Sequence, residues 1–173
     1  VESLLRRGAE EWCGPHGARV SVTDVTGGLA QINLQGPSSR ALLSRLTGAA
    51  AVSDGAFPFR GARTIAIGCA PVLATRITYV GELGYELFVP TEAALHVYDL
   101  ITAEGEGVGL THAGLKALGS LRMEKGYRDY GHDLDNCDTL LEAGLGFTAD
   151  YDKPGGFVGM EACLAQRRAG GPV

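Results

Sequence analysis

A carboxylate and a phenol stand close together in the one stretch of this chain that reads as chemistry. Glu86 follows Tyr79 across Gly81-Glu82-Leu83-Gly84, and both lie in runs rich in β-branched and aromatic residues, 75–80 and 85–89. Two such runs around a short segment with a glycine at each end predict a β-hairpin. With those four residues as the loop, Val80 pairs with Tyr85 and Tyr79 with Glu86. Residues directly opposite share a face. One face then carries Ile77, Tyr79, Glu86 and Phe88, the other Thr78, Val80, Tyr85, Leu87 and Val89. A charge among apolar neighbours is costly to bury unless something pairs with it. Glu86 therefore either lies on a solvated face, as glutamates mostly do, or meets a donor-rich partner. An ionised carboxylate accepts two parallel N–H bonds in one plane, and rings beside it can cover a flat heterocycle. Taken alone, Tyr79 and Tyr127 read as ordinary core or rim residues.

Other reactive residue types form no constellation. Cys13, Cys69, Cys137 and Cys163 lie far apart and make no metal spacing; they read as free thiols in a reducing compartment. The four histidines give no i,i+4 pair, and His132 reads as a loop residue that hydrogen-bonds locally. Arg122 and Glu124 point to different helical faces; Arg122 reads as a buttress paired with a carboxylate such as Glu142, Glu124 as solvated. No Gly-x-Gly-x-x-Gly stands between a strand and a helix, so a nucleotide fingerprint is absent.

The elements that must position these residues alternate. Residues 3–12 form a helical pattern with Leu4, Leu5, Ala9 and Trp12. Two β-favouring runs follow over 18–34, the second alternating from Ala30 to Leu34. Pro37 or Ser38 opens a helix with Ala41, Leu42, Leu43 and Leu46 on its apolar side and Gly48 as its stop. A turn at 56–60, a strand over 63–68 and the hairpin come next. Thr91 caps a helix bearing Ala94, Leu95, Tyr98 and Ile101, ended by the glycines at 105–109. Thr111 caps a longer helix through Lys125 with Ala113, Ala117, Leu118 and Leu121, Gly126 takes the left-handed C-cap, and a last helix spans 159–168. The order strand, helix, strand, strand, helix predicts an α+β fold with a ferredoxin-like split βαβ core.

Composition bounds the function without choosing it. The chain has 173 residues, 45% of them hydrophobic, which suits one domain with a sizeable core. A net charge of −5 argues against a phosphate-driven nucleic-acid binder. No stretch approaches the ~18 apolar residues that would span a membrane.

Three segments together carry a resemblance. The hairpin region 75–90, the segment Ala117-Leu-Gly-Ser-Leu-Arg-Met-Glu-Lys-Gly-Tyr127 and Leu141-Glu-Ala-Gly-Leu-Gly-Phe147 resemble the folate-binding family of the glycine-cleavage T-protein, an aminomethyltransferase. Glu124-Lys-Gly-Tyr-Arg128, Asp138-Thr-Leu-Leu-Glu-Ala-Gly-Leu145 and Phe157-Val-Gly-Met-Glu-Ala162 are similar in particular to the folate domains fused behind the flavin part of sarcosine and dimethylglycine dehydrogenases. The resemblance runs from about Val20 to the C-terminus. It implies that Tyr79 lines a folate site, that Glu86 holds the pterin and that Tyr127 packs beside it. A reduced pterin presents N3–H and its 2-amino group as adjacent donors, which suits the carboxylate. Where many aminomethyltransferases carry an arginine, four residues before Arg122, this chain has Leu118, which favours the dehydrogenase branch.

By the same resemblance, residues 1–173 are expected to be the central and C-proximal part of one folate-binding domain. The family's N-terminal half, with the aspartate assigned as acid/base, has no match here, and neither has its C-terminal barrel. The implied cofactors are tetrahydrofolate and, in a domain outside this chain, FAD. The implied partners are folate, a small N-methyl amine and a flavin domain or lipoyl carrier, with no nucleic acid and no membrane. Three functions stay open: the folate half-site of a flavin-dependent demethylating dehydrogenase, a glycine-cleavage aminomethyltransferase, and a non-catalytic regulatory module. The expected compartment is the cytoplasm, or the mitochondrial matrix.

Overall fold

The alternation of Ala30 to Leu34 becomes the first strand, Leu29–Gln35 (β1), which buries Leu34 and half-buries Ile32 and Ala30 on one face. This computed structural model describes residues 1–17 and 19–171. They fall into two compact units, Val1–Thr78 with Glu82–His112 and Tyr79–Gly81 with Ala113–Val173.

The first unit is α+β. Its helices are Glu2–His16 (α1), Ser39–Thr47 (α2), Ala49–Val52 (α3) and Ala94–Gly105 (α4); its further strands are Ala62–Ile67 (β2), Ala70–Thr75 (β3) and Gly84–Pro90 (β4). The sheet is antiparallel throughout in the order β1-β4-β3-β2. β1 and β3 thus run parallel to each other with β4 between them, and β2, which follows the helices after β1, lies at the far edge antiparallel to β1. From Tyr85 to Val89 β4 alternates: Tyr85, Leu87 and Val89 are buried, while Glu86 and Phe88 are half-buried on the opposite face. Ile65, Ile67, Val72 and Ala74 extend the buried face, and Leu42 and Leu43 of α2 with Val97 and Ile101 of α4 belong to the same core cluster.

Ser38 precedes α2 and Gly48 ends it, as expected, but Ala41 is exposed. In α4 the apolar stripe is rotated from the expected one. Val97, Ile101 and Gly105 are buried, whereas Leu95 is 71% and Tyr98 41% exposed. Thr91 is no cap; its hydroxyl donates to the Gly27 carbonyl at 3.0 Å. Residues 19–25 form no strand, and Ala18, where the first expected run begins, lies outside the described residues. The helix α1 forms, with Leu4, Leu5 and Trp12 exposed. Among the described residues no helix is long and apolar enough to cross a membrane.

The expected hairpin is corrected in its first strand. Gly68, at φ 57°, turns the chain so that Ile67 pairs with Ala70, and β3 begins there. That ladder places Thr75, rather than Tyr79, opposite Glu86. Beyond Thr75 the backbone of Arg76 bonds that of Arg60 and Gly61, each at 2.9 Å, so 76–80 adds nothing to the β4 ladder. The shift is an even number of residues, so Glu86 keeps its face.

The second unit contains Leu115–Glu124 (α5) and Met160–Arg168 (α6). Gly114, not Thr111, precedes α5, and the residues it turns inward are Arg122, Leu118 and Gly119 rather than Ala113, Ala117 and Leu121. Among the described residues of this unit only Val80, Arg122 and Ala143 are buried. Polar ties take the place of an apolar core. Thr139 and Glu142 exchange bonds in the manner of a capping box, and Gln166 of α6 donates to the Thr139 hydroxyl at 2.9 Å.

Candidate functional site

Glu86 belongs to the first unit and occupies the middle of a polar row across the sheet. Asn33 of β1 lies directly opposite it on one side and Thr75 of β3 on the other. The next row on the same face is Gln31, Phe88, Leu73 and Thr64. A carboxylate between an amide and a hydroxyl thus borders an apolar patch made by Phe88 and Leu73. Among the described residues of this unit, no hydrogen bond or ion pair engages the half-buried Glu86 side chain. That leaves its acceptor capacity for a donor from outside the unit.

Two residues further along β1, Gln35 faces Gly84. A Cβ at Gly84 would overlap the Gln35 side-chain carbonyl, so the missing side chain makes room for the amide. Gln35 also lines a recess of about 340 Å³ that continues along Ser38, Leu42, Val108 and Leu110. Neither Thr75 nor Gln35 emerged from the sequence as a site residue. The alternation of β1 extended by one step would have drawn attention to Gln35; Thr75 needed the register.

Tyr79 and Tyr127 come together in the second unit. Their rings stack at 6.2 Å between centroids with 13° between planes. Gly126, at φ 74°, caps α5 in the left-handed conformation, and the Tyr127 amide returns to the Arg122 carbonyl at 3.0 Å, which swings the ring off the helix. The Tyr79 hydroxyl donates to the Arg128 carbonyl at 2.8 Å. Burial raises the Tyr79 phenol pKa, and the Asp129 and Asp133 carboxylates push it the same way against Arg122. The phenol therefore stays protonated and keeps that bond. Tyr79 and Tyr127 present one aromatic surface built from two distant segments.

Arg122 holds this surface from behind. Its guanidinium donates to the Tyr127 carbonyl at 3.0 Å and pairs with Asp133, not with the expected Glu142. Asp133 also accepts from the Asp129 amide at 2.8 Å. The Arg122 guanidinium, and then that amide, hold the Asp133 carboxyl below its usual range. His132 bonds Asp129 at 2.9 Å, the local role expected of it. Among the described residues no group of histidines, cysteines and carboxylates could hold a metal ion.

Comparison with known proteins matches residues 3–153 to the GCVT N-terminal domain family. The chain is 43% identical over 148 residues to 4-methylaminobutanoate oxidase (formaldehyde-forming) of Paenarthrobacter nicotinovorans, covering 86% of this chain and 18% of that protein. It is 40% identical to the mitochondrial sarcosine dehydrogenase of Homo sapiens, over 88% of this chain and 17% of that one. To the aminomethyltransferase of Halothermothrix orenii it is 38% identical, over 88% of this chain and 42% of the enzyme. The chain thus spans less than a fifth of the two oxidising relatives and under half of the transferase.

Proposed function

The chain belongs to the GCVT N-terminal domain family, and from that premise we propose that it forms part of a tetrahydrofolate site in an enzyme that moves a one-carbon unit from an N-methyl amine to that folate. The observation that carries the reading is Glu86: a half-buried carboxylate, in a polar row beside an apolar patch, that its own unit leaves without a partner. A pterin edge offers it N3–H and the 2-amino group as two parallel charge-assisted bonds, and Phe88 and Leu73 offer the ring an apolar floor. Bound there, tetrahydrofolate supplies the nucleophilic nitrogen that takes up the one-carbon unit. The residues of this chain bind and orient: Glu86 fixes the pterin edge, Tyr79 and Tyr127 give a flat aromatic surface, and Arg122 with Asp133 holds that surface in place. No residue here is assigned to a flavin.

The names of the two oxidising relatives support an N-methyl amine as the carbon source. The likeness to the Halothermothrix orenii enzyme supports the alternative, a glycine-cleavage aminomethyltransferase working with a lipoyl carrier; turnover that requires such a carrier would select it. Chains that bind no folate would leave the regulatory module.

The test is Glu86→Gln. It keeps one acceptor, removes the charge and turns an amine toward a donor. Folate affinity should fall by about 2–4 kcal/mol, from a lost charge-assisted bond and an unsatisfied donor. Titration calorimetry that finds the same affinity in both proteins rejects the assignment.

A further inference from the structure

Buried acceptors without donors flank Glu86. Thr75 Oγ1, directly opposite it on β3, and Gln35 Oε1, beside Gly84 on β1, are closed off from solvent and lack a hydrogen-bond partner among the described residues. Leaving a buried acceptor unmatched is unfavourable, and native chains place few such groups without a reason. At Gln35 the arrangement is also costly in sequence freedom, because only a residue without a Cβ at position 84 leaves room for the carbonyl.

Resting on the folate reading above, we propose that Thr75 and Gln35 are specificity residues that act with Glu86 as one set of acceptors selecting a reduced pterin over an oxidised one. Oxidised pterins carry lone pairs at N5 and N8; reduction places an N–H at each. An acceptor facing an N–H gains a bond, and one facing a lone pair is repelled and stays unsatisfied. Glu86 takes the N3–H and 2-amino donors, which both forms carry, so it does not distinguish them. Gln35 Oε1 carries no hydrogen and can only accept, whereas the Thr75 hydroxyl can also donate, so Gln35 is the stricter of the two. Discrimination then rests on Thr75 and Gln35.

The experiment is a pair of NMR titrations of the full chain, one with tetrahydrofolate kept under reducing conditions and one with folic acid, read as the ratio of the two dissociation constants. The wild-type chain should prefer tetrahydrofolate by about tenfold. Thr75→Val and Gln35→Met should each lower that ratio several-fold while changing folic acid affinity by less than about twofold, and Thr75→Ser, which keeps the hydroxyl, should retain it. The dispersion of each variant's spectrum shows whether it is folded; if Thr75→Val is not, Gln35→Met and Thr75→Ser still read the ratio. Tetrahydrofolate binding with an unchanged ratio in the folded variants overturns this inference and leaves the Glu86 assignment standing. A wild-type chain that binds neither compound removes both.

Discussion

The Tyr79 and Tyr127 rings lie 13° from parallel with their centroids 6.2 Å apart, and the same short stretch that carries Tyr127 also supplies the Arg128 carbonyl to the Tyr79 hydroxyl. One ring is thus anchored by a hydrogen bond and the other by the Arg122 hold on its carbonyl. Stacking uses the ring of Tyr127, and among the described residues of its unit no hydrogen bond engages its hydroxyl. Tyr127→Phe should therefore be nearly neutral for pterin binding. Tyr127→Ala should weaken it by about 1–3 kcal/mol, the range found for base–aromatic stacking. Fluorescence or calorimetric titration of both variants checks this, and equal losses in the two would show that the ring does not matter.

Asp133 sets an acid limit on the second unit. Its carboxyl lies below the usual range because Arg122 and the Asp129 amide stabilise the charged form. A depressed folded-state pKa contributes stability that is present above the unfolded value of about 3.9 and disappears as pH falls from there through the folded value. Near-UV circular dichroism of the tyrosines should therefore lose intensity below about pH 4. Asp133→Asn should lower the signal's thermal midpoint at neutral pH and flatten its acid dependence. The flattening is partial, because Thr139 holds Glu142 low and Arg76 with Arg40 holds Asp54 low in the same window. An acid profile identical to wild type would separate Asp133 from the transition.

What could be read from the residues alone depended on how local each determinant is. Ser38 and Gly48 bound α2 because a helix start and a helix stop are set by neighbours in sequence. The two faces of β4 were legible for the same reason, since alternation needs no partner strand. The partner of Glu86 was not. It is fixed by the Gly68-Cys69 turn and by β3, whose Ala70, Pro71 and Ala74 carry little β preference, while the β-branched run at 77–80 draws the eye further along. A register off by an even number leaves Glu86 on its face but replaces Thr75 by Tyr79 as its neighbour. The Arg122–Asp133 pair was missed because the loop that brings 133 back to α5 has no periodic pattern.

Gly84 and Gln35 should behave as a coupled pair. The Gly84 backbone has no positive φ that would need glycine, so the objection to a side chain there is steric alone. Gly84→Ala should destabilise by about 1–3 kcal/mol, the usual range for overpacking. In a Gln35→Ala background the obstacle is gone, and the same change should be neutral or stabilise by about 0.4–1 kcal/mol through the lost freedom of the unfolded chain. A urea double-mutant cycle measures the difference. Additive effects would mean that the amide moves aside without cost.

The phase of α4 gives a test of the core. Ala94, Leu95, Val97, Tyr98, Leu100 and Ile101 place apolar residues most of the way round this helix, so its buried side cannot be chosen from the pattern alone. The structure buries Ile101 at 4% exposure against the sheet cluster and leaves Leu95 in solvent. Ile101→Ala should therefore cost about 2–5 kcal/mol, because it removes buried methyl groups and leaves a cavity. Leu95 is mostly exposed, so Leu95→Ala should stay within about 0.5 kcal/mol of wild type. Chemical denaturation of the two variants decides between the observed phase and one that buries Leu95 and Tyr98: a large loss at Leu95 would require α4 to be turned about its axis, taking Val97 and Ile101 out of the core cluster they share with the sheet.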